Sequence, residues 1–562
     1  MSPSPAVGAA ATDPLLAALE ASVHERCRHL LTLADRTPYA ATYGCLDRAY
    51  WQYKVKDFAS GMSQEGIYPL ALALEQNLFA GLSEAGRRAL EGLIAAAAAF
   101  SLQQQHGNGS VDDYFPYEQA AGATAFSLYA LLETHALGRL ALADGARRRL
   151  LRRAHWLAEH QESGQLSNHE ALISLSLARA AVLLAEPELQ RAAERRYRRL
   201  LSWRSAEGWF SEYGGFDVGY ETLTFACLRE LARLLPERAA EIDAILAHNF
   251  ALILGAAEPD GALGGELFAR GTWNLFAHGL TAYALAHADL ESRAAMGRLL
   301  RARFLHLPTE VRDDAVIQHH LWSDLRTWDL LRRAGPQALA ELAPKPQPAP
   351  QAPVQVERAL PEAGHLWVRH GTCRTHLSLA VGGAFRLHRA GGFVVQETQQ
   401  AVVCGRAGRG RTWLAHAPGA LAGWEWEAPD RLRLHGALSA YRPQPMTTAR
   451  LLVLRVLMLA GGRFCADRIR VLMQRLLIHA KTDRRRRYER RLTFLPDGLL
   501  VEDRYALPEP ELRGAELRPT GFSSFRHVVM SRVFHPYALA CQAPRSQSVR
   551  REPGALVSER RW

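Results

Sequence analysis

Apolar residues in the first 340 positions recur every three or four residues, the spacing that predicts amphipathic helices. The segments "TAFSLYALLETHALGRLAL", "EALISLSLARAAVLLA" and "ETLTFACLRELARLL" show this period, and short Gly-, Pro- or Asp-containing loops separate such segments. At least eight of them lie between residues 14 and 335. Because consecutive helices joined by short loops pack as antiparallel pairs, this part of the chain predicts a helical array.

The period changes after "APKPQPAPQAPVQV" (343–356), a Pro-rich stretch that predicts an extended linker. Beyond it, short alternating segments are broken by Gly pairs, and "LPDGLL" is typical of a hairpin turn. The segments "RIRVLMQRLLIHA" and "FRHVVMSRVFH" are interpreted as further strands. The pattern therefore predicts a helical domain (1–342), a linker (343–356) and an antiparallel β-sandwich (357–562).

Composition adds limits to this picture. The chain has 562 residues, 48% hydrophobic and 22% charged, which is typical of a soluble protein with more than one core. The start of the chain lacks the features of a signal peptide, and the longest apolar runs fall short of the roughly 20 residues of a spanning helix. We therefore expect no membrane span and a cytoplasmic location, with the periplasm as the alternative. The seven scattered cysteines contain no CxxC pair, which argues against a disulfide framework or a thiolate zinc site.

The charge is unevenly placed. Residues 357–562 hold 34 Lys and Arg against 17 Asp and Glu, a net charge of +17, and the preceding 356 residues carry −6. Two interpretations stay open, a general bias toward Arg and a basic surface suited to a polyanion. The run "KTDRRRRYERR" is followed by strand-like alternation and has no accompanying recognition motif, so no nucleic-acid partner is predicted.

Several inter-helix segments carry more polar and aromatic residues than a connection requires. Alternate loops of an antiparallel array emerge at one end, so these residues predict a polar, aromatic-lined mouth suited to sugars and carboxylates. The segments and their candidate residues are 104–126 with Asp113 and Tyr117, 166–172 with Asn168 and His169, 208–220 with Glu212, Tyr213 and Tyr220, and 260–279 with Glu266, Arg270 and His278.

Structural alternatives exist for the individual residues. Asn168 suits a helix N-cap, and Asp113 suits a cap in the turn before "YFPYEQ". Tyr220 at a helix start suits a packing residue, and His278 before a glycine suits a buried imidazole.

Four stretches carry a family resemblance: "NGSVDDYFPYEQ", "SNHEALISLSLARAA", "GWFSEYGGFDVGYETLTF" and "DGALGGELFARGTWNLFAHG". With the order of the domains, they make the chain resemble the heparinase II/III-like polysaccharide lyases. The resemblance covers essentially the whole chain. It implies an (α/α) toroid followed by an antiparallel β-sandwich.

The resemblance also implies roles for particular residues. Asn168 and His169 match the Asn and His that neutralise a uronate carboxylate, and Tyr220 matches the Tyr that exchanges protons. The family's usual His-x-His-x-Asp segment is replaced here by "GTCRTHLSLAVGGAF", which leaves His376 as the sheet-side partner. Glu212, Tyr213, Glu266, Arg270, His278, Asp113 and Tyr117 are expected to line the sugar cleft.

The first functional hypothesis is thus a lyase that removes the C5 proton of a uronate-containing polysaccharide, such as an exopolysaccharide. The enolate that forms needs hydrogen bonds and positive charge on its carboxylate. A uronate C5-epimerase shares this carbanion, a glycoside hydrolase would use the loop carboxylates, and a non-catalytic assembly protein would keep only the binding surface. No cofactor or metal is expected, and the oligomeric state stays open.

Overall fold

The computed structural model describes the greater part of the chain, and every structural statement below concerns that part. The described residues are 13–162, 164–309, 311, 313–343, 353–405, 411–416, 420–441, 446–466, 468–469, 471–472, 482–520 and 534–562.

Helices dominate the chain up to residue 341, and the sheet region contains two more whose bounds are fully described. Their bounds are α1 Pro14–Leu33, α2 Arg48–Trp51, α3 Ile67–Glu75, α4 Glu84–Gln103, α5 Ala121–Ala136, α6 Asp144–Glu159, α7 Ser167–Leu183, α8 Glu188–Leu201, α9 Val218–Leu234, α10 Ala239–Gly255, α11 Ala277–His287, α12 Leu290–Arg301, α13 Ile317–Glu341, α14 Thr448–Ala460 and α15 Glu509–Leu512.

Six of the helices form a closed inner ring. Helices α3, α5, α7, α9, α11 and α13 each contact the next, and α13 returns to contact α3. The partners α4, α6, α8, α10, α12 and α1 pack against the outside of the ring. Inner helices such as α5 are buried on nearly all sides, whereas the outer helix α8 buries one face only, as expected for two concentric layers. The predicted (α/α) toroid is confirmed.

The two ends of the ring differ in the length of their loops. Inner helices lead to outer helices through short segments, 76–83, 137–143, 184–187, 235–238 and 288–289. Outer helices return to inner helices through 34–66, 104–120, 160–166, 202–217, 256–276 and 302–316, and all of these except 160–166 are longer than any segment at the other end. All six inner helices therefore begin at the same end of the ring, where the longer loops gather. We call this end the mouth.

The C-terminal region contains two antiparallel sheets. Strands β3 Gln355–Leu360, β4 His365–His370, β5 Cys373–Ser378, β6 Ala384–Arg389 and β7 Gly392–Glu397 pair in chain order. The strands of the second sheet are β8 Gln400–Cys404, β9 Arg411–Leu414, β10 Leu421–Ala428, β11 Arg431–Tyr441, β12 Thr482–Leu495, β13 Gly498–Ala506, β14 Ala515–Pro519, β15 Ser546–Glu552 and β16 Ala555–Arg561. They have the order β14-β8-β9-β11-β12-β13-β16-β15, with β10 also paired to β11.

The two sheets pack face to face, which confirms the predicted sandwich. Their shared core includes Leu366, Leu377 and Phe385 from the first sheet and Leu432, Leu492 and Val501 from the second. The "LPDGLL" hairpin is also confirmed, since Leu495 pairs with Gly498 across the turn between β12 and β13. The first sheet lies against the toroid, because the apolar core of the toroid continues into Leu360, Trp367 and Ala384.

Three sequence expectations meet different outcomes. Strand β3 begins at Gln355, so the last two residues of the predicted linker are strand; residues 344–352 lie outside the described part. The strand expected within 468–480 is wrong where it can be compared, since 468–469 and 471–472 are helical. The strand expected in "FRHVVMSRVFH" lies mostly in 521–533, also outside the described residues.

Among the helices of the described residues, none combines the length and the apolar character that a membrane span requires.

Close contact between inner helices provides a stability test. A Cβ added at Gly279 in α11 would lie 2.7 Å from the Cα of Ala226 in α9, whereas one added at the exposed Gly92 in α4 would meet only the Tyr43 hydroxyl at 3.9 Å. We expect Gly279→Ala to cost about 1–3 kcal/mol through overpacking. The same change at Gly92 should stabilise by up to about 1 kcal/mol through helix propensity. Thermal unfolding midpoints should therefore move in opposite directions; equal shifts would contradict the packing of the ring.

Candidate active site

The mouth of the toroid collects most of the predicted site residues. Because six inner helices begin there, their free backbone N–H groups and dipoles give the mouth positive partial charge. Exposure at the helix starts differs between the predicted residues. Tyr220 and the side chain of His169 are 7% and 18% exposed, whereas Asn168 and His278, both second residues, are 0% and 3% exposed.

A buried chain of polar contacts joins Asn168 to Tyr220. Asn168 donates from both its backbone N–H and its side-chain Nδ2 to Glu212 Oε1, at 2.8 and 2.7 Å. The other carboxylate oxygen of Glu212 accepts from Arg270 at 2.9 Å. The Arg270 guanidinium lies 4.2 Å from the ring centre of Tyr220 and 4.9 Å from that of Tyr213. The two aromatic rings and the carboxylate therefore fix the guanidinium.

Local sequence explains how the loop before α9 builds this arrangement. Residues 213–214 form the turn between the short strands β1 Ser211–Glu212 and β2 Gly215–Phe216, and Tyr213 takes a φ of +54°. Asp217 then caps α9 by accepting from the Tyr220 backbone N–H at 3.1 Å. Its second oxygen accepts from the backbone N–H of Arg270 at 2.8 Å, which ties the loop before α11 to the same cap.

Electrostatics around Tyr220 act in opposing directions. Burial raises the pKa of the Tyr220 phenol, Arg270 lowers it and the negative charge of Glu212 raises it, and the net effect is a raised pKa. Burial also raises the pKa of Asp217 to about 7, against the two backbone donors and Arg270. Tyr114 belongs to the same neighbourhood, since the charges of Tyr220 and Arg270 act on its hydroxyl. The phenol thus lies in a polar setting.

His169 forms a second polar group at the mouth. Its Nδ1 donates to Glu162 Oε2 at 2.7 Å, which leaves Nε2 as the ring nitrogen available to a ligand. Gly122 is required beside it, because a Cβ at that position would lie 2.5 Å from the imidazole. The ring of Phe126 in α5 packs edge-on against His169 at 6.2 Å.

His319 is a mouth residue that the sequence analysis missed. It is the third residue of α13, its Nδ1 contacts Glu65, and its ring lies 4.6 Å from that of Phe126. His169 and His319 therefore share one aromatic neighbour. The available signal was the repeat of one pattern, since "NH" in α7 and "QH" in α13 both occupy the second and third helical positions.

Asp113 and Tyr117 lie in the loop before α5. Asp113 accepts from Ser60 Oγ at 2.6 Å, and burial raises its pKa. Tyr117 stacks on His106 with ring centres 5.7 Å apart and packs beside Phe115 in an apolar cluster that includes Met458 of α14. Both residues thus have structural contacts at the rim, and α14 covers part of this side of the mouth.

Three other predicted residues have no contact with Tyr220 among the described interactions. His278 is buried inside the ring, where its Nδ1 lies 2.9 Å from Ser323 Oγ. A sugar in the mouth has no access to this imidazole, so its expected place in the cleft is corrected to the toroid core. Glu266 accepts from Gln396 of β7 at 2.7 Å, at the boundary with the sandwich. His376 has no exposed surface and contacts neither Asn168, His169 nor Tyr220 among the described interactions.

His376 belongs to a buried cluster between toroid and sandwich. Its Nδ1 donates to Glu258 Oε1 at 2.9 Å, and its Nε2 lies 3.1 Å from His365 Nδ1. Arg386 also contacts Glu258, at 3.2 Å. His365 borders a cavity of about 100 Å³ that lies between residues 214–216, residues 266–269 and the first sheet. His365, which is hydrogen-bonded to His376, therefore lines this cavity together with His416.

The protonation states of this cluster follow from burial and charge. Burial raises the pKa of Glu258, but His376, His388 and Arg386 outweigh it and hold the pKa below its ordinary value. Burial lowers the pKa of His376 to about 4. At neutral pH the Glu258 carboxylate is therefore ionised, and the positive charge of Arg386 compensates it. The imidazole of His376 is neutral. Among the described residues, no group of three or more His, Cys, Asp or Glu side chains could hold a metal ion.

The sequence matches no protein-family model, and no curated protein is significantly similar to it. Among solved structures, a chondroitin AC lyase from Streptomyces coelicolor A3 aligns at 13% identity over 99% of this chain and 78% of its own, with a TM-score of 0.47. Heparinase III aligns at 9% identity over 89% of this chain and 72% of its own, with a TM-score of 0.46. The chain is structurally similar to polysaccharide lyases. With TM-scores below 0.5 these alignments assign no role to any residue, and the roles of residues rest on the geometry above.

The buried imidazole of His376 leads to a pH prediction. Between pH 6.5 and about 4 the unfolded chain binds a proton on this residue and the folded chain does not, so stability should fall as the pH falls through this window. His376→Gln should make the decline shallower by at most about 1.4 kcal/mol per pH unit. The exposed His306 provides the control, and His306→Gln should leave the slope unchanged. Unfolding midpoints measured from pH 7.5 to 4 check this, and equal slopes for wild type and His376→Gln would contradict it.

Proposed function

We propose that this protein is a polysaccharide lyase that cleaves an acidic, uronate-containing polysaccharide by β-elimination at the mouth of the toroid. The observation that carries the proposal is the position of Tyr220. Its ring lies over the guanidinium of Arg270, at the end of the inner ring where six helix N-termini and His169 converge. The helix N-termini provide a hydrogen-bonding setting for a carboxylate beside a phenol.

The chemistry assigns Tyr220 to proton transfer. Its phenolate takes the C5 proton, and the electron pair of that C–H bond forms the C4–C5 double bond as the C4–O4 bond breaks. The leaving O4 then recovers a proton from the Tyr220 hydroxyl. The enolate that develops carries extra charge on the uronate carboxylate. We assign its stabilisation to the His169 imidazole and the inner-helix N-termini.

Asn168 takes a different role from the one that the resemblance implied. Its side chain has no exposed surface and its amide donates to Glu212, so it does not reach a sugar in this conformation. We assign Asn168 and Glu212 as positioning residues that hold Arg270 beneath Tyr220. We assign direct contact with the uronate carboxylate to His169, because its contact with Glu162 uses Nδ1 and not Nε2.

The geometry gives little support to a glycoside hydrolase. That mechanism needs two carboxyl groups free to act on either side of one bond. Glu212 and Asp217 each accept two or more protein hydrogen bonds. Glu118 accepts from two backbone N–H groups, of Asp113 and Tyr114. A non-catalytic polysaccharide-binding protein is the second candidate, because Tyr220 is only 7% exposed.

Tyr220→Phe tests the lyase directly. The variant keeps the ring over Arg270 but loses the acid–base group, so we expect kcat on the cleaved polymer to fall by about 10²–10⁴-fold with little change in affinity. Uronate polymers of different linkage are screened for a product that absorbs in the near ultraviolet, the signature of C4–C5 unsaturation. Tyr39→Phe, at a 92% exposed tyrosine, is the control.

Each alternative has its own outcome in this experiment. New reducing ends without ultraviolet absorption would identify a hydrolase. Exchange of the C5 hydrogen with solvent without cleavage would identify an epimerase. Binding without any turnover, equal in wild type and Tyr220→Phe, would identify the non-catalytic protein.

The opposing charges around Tyr220 predict pH shifts of opposite sign. Arg270 lowers the pKa of Tyr220 and Glu212 raises it. The limb of kcat that rises with pH should therefore move to higher pH in Arg270→Gln and to lower pH in Glu212→Gln. Purely structural roles would reduce kcat in both variants without moving the limb in opposite directions. The full pH profile of kcat on one polymer provides the measurement, with soluble expression and unfolding midpoints as the folding control.

A further inference from the structure

A second concave site lies on the outer face of the second sheet. Along β11, Leu432 and Leu434 face the first sheet, so the alternating Arg433 and His435 face outward. Cross-strand pairing places His435 opposite Glu489, and Glu489 opposite Arg504, on the same outer face. A cavity of about 620 Å³ lies among these strands.

An irregularity in β12 shapes this cavity. Ala437 of β11 pairs with Arg487, but the next residue, Leu438, pairs with Asp483. Residues 484–486 are therefore extra on the β12 side, a bulge that re-aims the side chains it contains. Arg486 is directed to the other side of the strand, where its guanidinium lies 4.0 Å from the Trp413 ring. Arg484 and Arg487 remain on the cavity wall.

The lining of the cavity is strongly basic. Arg433, Arg484, Arg487 and Arg504 line it, and Glu489 is its single acidic lining residue among the described ones. Glu489 is already paired with Arg433 at 2.6 Å, and Arg504 contacts Glu552. Arg484 and Arg487 form no ion pair with a described residue, and both are exposed. Apart from a hydrogen bond from Arg487 Nε to the Arg484 carbonyl oxygen at 3.3 Å, the two guanidinium groups are thus available to an anion on a concave surface.

We propose that this cavity, the β11–β12 cavity, binds an anionic segment of a polysaccharide through Arg484 and Arg487, apart from the toroid mouth. The choice of a polysaccharide rests on the proposed function. Arginine forks match carboxylate and sulfate groups alike, so both belong to the expected ligand chemistry. Single-stranded nucleic acid is less suited, because base stacking needs exposed aromatic faces and the lining tyrosine, Tyr488, is only 2% exposed.

The site would hold a long polymer while another part of it enters the mouth. A short oligosaccharide that fills only the mouth should gain no affinity from the β11–β12 cavity. This difference separates the two sites in kinetics: loss of the β11–β12 cavity should raise KM for long chains and leave the turnover of short oligosaccharides unchanged.

The test compares two double variants with equal loss of charge. R484Q/R487Q removes the two available cavity arginines, and R485Q/R513Q removes two exposed arginines that do not line the cavity. The probes are a labelled heparin decasaccharide, which is sulfated, and a labelled oligogalacturonate of equal length, which is carboxylated. Affinities are measured by fluorescence titration at two salt concentrations.

We expect R484Q/R487Q to weaken binding of at least one probe by about tenfold or more, and R485Q/R513Q by less than about threefold. The preferred probe identifies sulfate or carboxylate as the recognised group. Equal losses in both double variants, or no loss in either, would overturn the cavity as a site. If a duplex DNA probe binds as tightly as the oligosaccharides and loses as much affinity in R484Q/R487Q, the cavity would be reassigned as a general phosphate-binding site.

This outcome is independent of the fate of the lyase proposal. If Tyr220→Phe leaves activity unchanged while R484Q/R487Q loses probe binding, the lyase assignment fails and the anion site stands. If Tyr220→Phe loses activity while R484Q/R487Q keeps probe binding, the lyase assignment stands and the anion site fails. All four arginines are exposed, so unchanged unfolding midpoints are expected and serve as the folding check.

Discussion

The ion pair between Arg270 and Glu212 holds the mouth of this protein together. Both side chains are buried, and the pair joins the loop before α9 to the loop before α11. A buried guanidinium without its carboxylate is strongly unfavourable, by about 3–5 kcal/mol in comparable cases. Glu212 also accepts from Asn168, so a third inner helix, α7, depends on the same charge. The position of Tyr220 is a consequence of this pair, since its ring covers the guanidinium.

The architecture was predictable because burial of apolar side chains imposes a regular spacing on them along the sequence. Helices of the ring and strands of the sandwich each bury apolar residues at regular spacing, and the sequence shows both periods and the point where they change. The segment 468–480 misled the prediction because its short apolar runs, such as "IRVLM", fit a strand and a helix equally well. Only the surrounding structure decides such a case.

The site was predictable as a region but not residue by residue. Successive helical residues point about 100° apart, so one position decides whether a side chain reaches the mouth or the core. His169 and Tyr220 occupy the third position and Asn168 and His278 the second, a difference that needs the helix start to within one residue. His319 was missed for the same reason. Partners distant in sequence, such as Glu258 with His376, leave no local pattern at all.

The unequal loops of the ring divide the protein into a variable end and a constant end. At the mouth, segments of up to 33 residues (34–66) connect the helices, and outside stretches that contact the ring, such as Ser63–Gly66, their length and composition can change while the ring stays intact. At the opposite end a connection as short as 288–289 holds two helices in register. New substrate specificity in this scaffold should therefore arise by exchange of mouth segments, while the helices of the toroid stay unchanged.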